Sequence, residues 1–261
     1  MEENSIKMKS LIELRDGRIF YVPAYQRGYR WNTEQVEDLL NDLYDFASGK
    51  NKNQFYCLQP VIVKRIVKDS PKWKEIYRAN PTLYAEAPIY EVVDGQQRLT
   101  TLYILLQYII NHTTDEEEKE EEQNAIYNLI YETRRDLSGY LQTIGKQSNF
   151  SNIDEKHAFN AYQSIEKWIK NKGTLSLKPS KIRGKLAEFL CQDKDTKEDC
   201  GSLQVVWYEI NEEKDVIREF LTINNGKIQL TEAELIKALF LIALTDTSTQ
   251  REWVVAQQWD K

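Results

Sequence analysis

The sequence predicts an α+β fold, a small sheet with helices over residues 1–112 followed by a mainly helical region over 113–261. Three observations predict it. Residues 1–110 alternate short β-branched or aromatic runs with stretches of helical apolar spacing. The second half carries helical spacing almost throughout, with Leu203–Ile210 as its one convincing strand. The 261 residues, 41% apolar and 11% aromatic, are enough to bury a sizeable core without disulfide staples.

Taken in order, Ile19-Phe20-Tyr21-Val22-Pro23 is a short strand closed by proline. Asn32 opens a helix as N-cap, with Gln35 placed to complete a capping box. Val36, Leu39, Leu40, Leu43 and Phe46 follow at helical spacing and turn one face inward. Phe55–Val67 reads as a strand that Pro60 forces into a bulge or onto an edge. Lys68–Pro88, with three prolines, reads as an excursion off the core. Ile89–Val93 is a strand, and Gln96 to Ile110 a strongly apolar helix.

Beyond it, Glu116–Arg135 and Ile153–Lys170 carry helical spacing; in the second, Ala158, Ala161, Ile165, Trp168 and Ile169 share a face. A helix over 213–223, a turn at Asn224-Asn225-Gly226, and a helix from Thr231 to about residue 244 are expected. The last is opened by a Thr231/Glu234 capping box and a Leu230/Leu235 staple. Trp253, Val254 and Trp259 then lie at amphipathic spacing with no cap or breaker, so a further effector region is expected to follow. No internal repeat is evident.

The formal charge is −6, from 35 basic and 41 acidic residues. Residues 1–110 hold 15 basic and 14 acidic residues, whereas Asp115–Glu122 (DEEEKEEE) alone carries −6. Such a run reads first as a solvated helix face or a loose loop, the alternative being an acidic tail that mimics or repels nucleic acid. Three cysteines and two histidines without a CxxC pair argue against a disulfide scaffold and a closed zinc site, and for a reducing cytoplasm. No apolar run is long enough to span a membrane, and no signal-peptide core is seen. No GxxxxGK[ST], GxSxG or HExxH occurs. Cys57 reads as a small buried hydrophobe in a strand, and His157 as packing or surface.

Two segments carry candidate chemistry. In Val92-Val93-Asp94-Gly95-Gln96-Gln97-Arg98-Leu99-Thr100, a strand turns at Asp94-Gly95 straight into a helix. The first-turn N–H groups then converge on an anion site, and Arg98 could add a bidentate phosphate donor. Asp94 could hold a metal-bound water, position a nucleophile or orient Arg98. The plain alternative is an Asp cap, a turn glycine and a solvated first turn. In Pro23–Trp31 (PAYQRGYRW), Arg27 and Arg30 interleave with Tyr25, Tyr29 and Trp31 around Gly28. That pattern suits stacking on bases and gripping phosphates. Its alternative is a loop whose aromatics plug the core while its arginines pair with helix carboxylates.

The pair PAYQRGYRW and VVDGQQRLTTL resembles the N-terminal domain family of GmrSD-type modification-dependent restriction enzymes, a domain shared with SspE-type phosphorothioate-sensing defence proteins. A third block agrees: Phe220-Leu221-Thr222-Ile223-Asn224-Asn225-Gly226, then Leu230-Thr231 and Leu235-Ile236-Lys237. The resemblance implies a ParB/sulfiredoxin-like mixed sheet and the binding and hydrolysis of a nucleoside triphosphate with Mg²⁺. It implies that Asp94, Gly95, Gln96, Gln97 and Arg98 lie at the nucleotide. Gln26, Arg27 and Arg30 would face the same cleft, and Asn224 and Lys237 approach it from the helical half. Where the family often has a glycine after a phenylalanine-leucine strand start, this chain has Tyr56-Cys57-Leu58-Gln59-Pro60.

The family's HNH-type nuclease domain has no counterpart here, so these residues are expected not to cut DNA by themselves. The resulting expectation is a nucleotide-hydrolysing regulatory domain of a restriction or antiphage protein, with Asp94, Gln97 and Arg98 as its catalytic candidates. The alternative is a non-catalytic sensor of modified DNA, with Tyr25, Tyr29 and Trp31 against the nucleic acid. A scaffold docking partners through its helical half ranks behind both. The expected partners are a nucleoside triphosphate, modified DNA and a C-terminal nuclease domain or partner subunit, with no membrane.

Overall fold

Six strands form one mixed sheet in the order β1-β6-β3-β4-β2-β5. The computed structural model describes residues 5–15, 17–49, 54–80, 87–146, 149–173, 177–191 and 201–210. The strands are β1 (Ser5–Ser10), β2 (Ile19–Val22), β3 (Phe55–Arg65), β4 (Ile89–Asp94), β5 (Asn128–Tyr131) and β6 (Ser202–Ile210). β2 runs parallel to both β4 and β5, and β3 parallel to β6, while β3–β4 and β1–β6 are antiparallel. The α+β class is as the sequence predicts. The sheet draws strands from both sides of residue 112, because β5 and β6 pair with β2 and β3.

The helices are α1 (Leu11–Arg15), α2 (Thr33–Ser48), α3 (Pro71–Ala79), α4 (Gln96–His112), α5 (Glu116–Ala125), α6 (Arg135–Thr143), α7 (Ile153–Lys172) and α8 (Pro179–Cys191). Asn32 caps α2 through the reciprocal pair with Gln35, a device worth about 1 kcal/mol. Val36, Leu39, Leu40 and Leu43 of that helix are buried. Most of the core lies on one face of the sheet, under α1, α2, α4, α7 and α8. α3 covers part of the opposite face, where Ile76 packs on Ile19, Tyr21, Ile89 and Ile130. α4 runs through the middle of the larger layer and is buried on nearly every side from Leu99 to Ile110, as its continuous apolar sequence requires.

Three local expectations are corrected. The helical reading of Glu116–Arg135 is broken by β5: Asn-Leu-Ile-Tyr leaves the helix to pair with β2, burying Leu129, Ile130 and Tyr131. The Lys68–Pro88 excursion contains a helix, α3, capped by Ser70 with Pro71 in its first turn. Cys57 is exposed rather than buried. Pro60 does produce a bulge: the β3–β6 register shifts between Leu58 and Val61, and β4 pairs with the other side of β3 only from Ile62 to Arg65. The acidic run is a helix N-capped by Asp115 and exposed over Glu116–Glu118, while Glu122 at its end is buried and accepts from the Thr113 hydroxyl. The expected elements beyond residue 210, including the Thr231 capping box and the amphipathic segment with Trp253 and Trp259, lie outside the described residues.

Candidate functional site

The strand-to-helix elbow forms as the sequence requires. β4 ends at Asp94, Gly95 takes a left-handed conformation at φ +100°, and α4 starts at Gln96. No side chain caps that helix, whose N-cap is Gly95, and the positive end of its dipole lies at the elbow, where Gln96 and Gln97 are buried beneath the loop. Two reasons make residue 95 a glycine. Its positive φ is costly for a side chain, and a Cβ there would sit 3.1 Å from Val61 Cγ2 and 3.3 Å from the Pro60 carbonyl oxygen.

The second motif folds directly over this elbow, and nearly every residue of it is tied down. The Ala24 N–H donates to Glu132 at 2.6 Å, and the Tyr25 hydroxyl to Glu91 at 3.0 Å. Gln26 Nε2 donates to the Val92 and Val93 carbonyls, each at 2.7 Å. Gln96 Nε2 donates to the Arg27 carbonyl and Gln97 Nε2 to the Gly28 carbonyl, both at 2.8 Å. Gln97 Oε1 accepts the Arg30 N–H at 2.8 Å, and the Tyr29 hydroxyl bonds Thr101 Oγ1 at 2.9 Å. The two glutamines of the DGQQR segment are thus buried clamps that knit the loop to the first turn of α4.

Arg98 turns away from the loop, onto the bulge. Its guanidinium donates to Gln59 Oε1 at 2.8 Å and to the Pro60 carbonyl at 2.6 Å, with Asp94 at 3.5 Å. Burial lowers its pKa and Asp94 partly opposes that shift. The departure from the family pattern at Tyr56–Pro60 therefore falls on the segment that receives Arg98. Gln96 Oε1 and Arg98 Nε are buried without a hydrogen-bond partner, two polar atoms left open at the elbow.

Tyr25 and Tyr29, expected as stacking platforms, are 8% and 0% exposed. Burial raises both hydroxyl pKa values, in Tyr25 with help from Glu91. Neither ring offers a face to a base, because each is used to anchor the loop to the core. Trp31 is half-buried against the same core, and Arg27 is exposed. Asn224 and Lys237 lie outside the described residues.

Three partners were not read from the sequence. Asp154, at the start of α7, pairs with both Arg30 and Arg134. Glu91 of β4 takes Lys72 of α3 at 2.8 Å as well as Tyr25. Gln59 takes Arg98. Each is an ordinary polar residue in its own segment and becomes a partner only through contacts 19 to 124 positions away. Among the described residues no cluster of three or more His, Cys, Asp or Glu could hold a metal ion, and no helix is long and apolar enough to cross a membrane.

Comparison with known proteins adds two findings. The sequence pattern of the family described as "GmrSD restriction endonuclease, N-terminal domain" matches residues 8–241, most of the chain. An uncharacterized protein of Methanocaldococcus jannaschii, MJ0686, is 23% identical over 153 residues. That match takes in 53% of this chain and 25% of the relative, so the chain spans about a quarter of that protein's length.

Proposed function

We propose, for a chain that belongs to the family of GmrSD restriction endonuclease N-terminal domains, that the elbow at Asp94–Arg98 binds the phosphates of a nucleoside triphosphate and hydrolyses it. The observation that carries the reading is the uncapped N-terminus of α4, which opens beside a buried arginine and beneath a rigid arginine-bearing loop. A phosphate would take the N–H groups of the first turn, and the dipole of a 17-residue helix favours its charge. Arg98, whose longest contact is the one to Asp94, would exchange that contact for a phosphate oxygen. Arg30 and Arg27 lie on the loop that covers the elbow and would offset charge developing in phosphoryl transfer.

A single carboxylate at the elbow suits Mg²⁺ held through the phosphates, which needs only one or two protein carboxylates. Asp94 would hold that ion, and the ion when bound would supply charge neutralisation at the phosphates. Gln96 and Gln97 serve differently: they keep the loop seated while the nucleotide is held. In the whole restriction protein, turnover at this site would regulate cleavage of modified DNA by a nuclease domain elsewhere. The test is phosphate release from the four ribonucleoside triphosphates with Mg²⁺. Release by the wild type and its loss in Arg98→Ala are expected; no release from any of the four overturns the reading.

A further inference from the structure

We propose that Asp154, a residue of neither motif, is a positioning residue of the elbow site, acting through Arg30. The inference rests on the nucleotide reading above. Asp154 lies in the first turn of α7, and its side chain is 7% exposed. One carboxylate oxygen pairs with Arg30; the other takes Arg134 Nε at 3.0 Å. Arg134 is as buried as Asp154, whereas Arg30 is 31% exposed at the mouth of the loop. The inner arginine therefore fixes the carboxylate, and the carboxylate fixes the outer arginine.

Gly28 supports the same assignment from the other side. A Cβ at residue 28 would land on the Asp154 carboxylate, 2.7 Å from its Cγ and 2.8 Å from Arg134 Nε. The loop backbone thus lies directly against the ion pair, and any Cβ at residue 28 must displace that pair. Arg30 joins this contact to the elbow, because its own N–H is held by Gln97. α7 is a firm base for the arrangement: Asn152 caps it, Ser164 bonds Thr33 of α2 at 3.0 Å, and Trp168 bonds Asn41 at 3.0 Å. A rigid helix therefore sets where Arg30 stands relative to the first turn of α4. Small displacements of a charge-stabilising group cost turnover steeply.

The test compares wild type, Asp154→Asn, Arg30→Ala and the double variant. Nucleoside triphosphate hydrolysis is followed together with hydrogen exchange of the Arg30 amide. Asp154→Asn should lower kcat about ten- to hundredfold with KM changed less than about twofold. It should speed exchange at Arg30 at least about tenfold while the middle of α4 and of α7 keep their protection. In the Arg30→Ala background the same substitution should lower kcat less than about twofold further. Gly28→Ala, which displaces the same contact, should reproduce the Asp154→Asn exchange pattern.

Wild-type kcat and exchange in Asp154→Asn would overturn the proposal. So would effects that multiply in the double variant, or a loss of protection spread evenly over α4 and α7. If the wild type hydrolyses no nucleotide, the functional reading fails, and exchange at Arg30 still decides whether Asp154 seats the loop.

Discussion

The side-chain oxygen of Gln97 accepts the backbone N–H of Arg30 at 2.8 Å, while its amide nitrogen donates to the carbonyl of Gly28 at the same distance. One buried side chain thereby satisfies both ends of a turn in a loop about 70 residues earlier in the chain. Gln97→Ala leaves that donor and acceptor without partners, and each buried group so orphaned costs about 1–3 kcal/mol. Gln97→Glu keeps the acceptor for Arg30 but sets a buried carboxylate against the Gly28 carbonyl, so at neutral pH it should cost at least as much as alanine. Urea unfolding of the three proteins checks the order. Equal stability of alanine and wild type would remove the clamp from the account.

Gly95→Ala should be destabilising by about 2 kcal/mol. The left-handed backbone alone costs an alanine about 1–2 kcal/mol, and its methyl group would press on Val61 across the sheet at 3.1 Å. The same substitution at Gly17, also at positive φ but open to space, should cost only the backbone part. Thermal unfolding of the two variants side by side separates strain from contact.

Alkaline pH should unfold the protein through its buried tyrosines. Tyr25, Tyr29, Tyr127 and Tyr131 have hydroxyl pKa values raised above 10.0, in each case chiefly by burial. Above pH 10 the unfolded chain releases these protons and the folded protein keeps them. Stability is therefore complete below pH 10 and falls as pH rises from there toward the folded values, by on the order of 1 kcal/mol per pH unit for each ring. Unfolding free energies measured from pH 8 to 11 should show the decline, with the last part of the tyrosinate absorbance of the 15 tyrosines appearing only as the protein unfolds. Ionisation of all 15 ahead of unfolding would mean the rings are not sealed.

How much of this was legible follows from the range of each signal. The α2 cap, the Pro60 bulge and the Asp94-Gly95 elbow were readable because their determinants lie within four residues: Asn32 with Gln35, a missing N–H at Pro60, a glycine between a strand and a helix. β5 was hidden because four residues between helices acquire strand character only by pairing with β2. Interleaved aromatics and arginines look alike whether the rings face out or in, and the rings of Tyr25 and Tyr29 face in. Their hydroxyl partners, Glu91 and Thr101, decide it, and both lie more than 60 residues away. Asp154 carries no local mark beyond that of a first-turn helix acid.

The central claim, that the elbow at Asp94–Arg98 holds phosphate, is tested most directly by calorimetric titration of non-hydrolysable analogues of the four nucleoside triphosphates, with Mg²⁺, into wild type and Arg98→Ala. At least one analogue should bind the wild type, and Arg98→Ala should bind it at least about tenfold more weakly, the loss of one charge-assisted contact. No heat with any analogue, or equal affinity in the two proteins, would contradict the account.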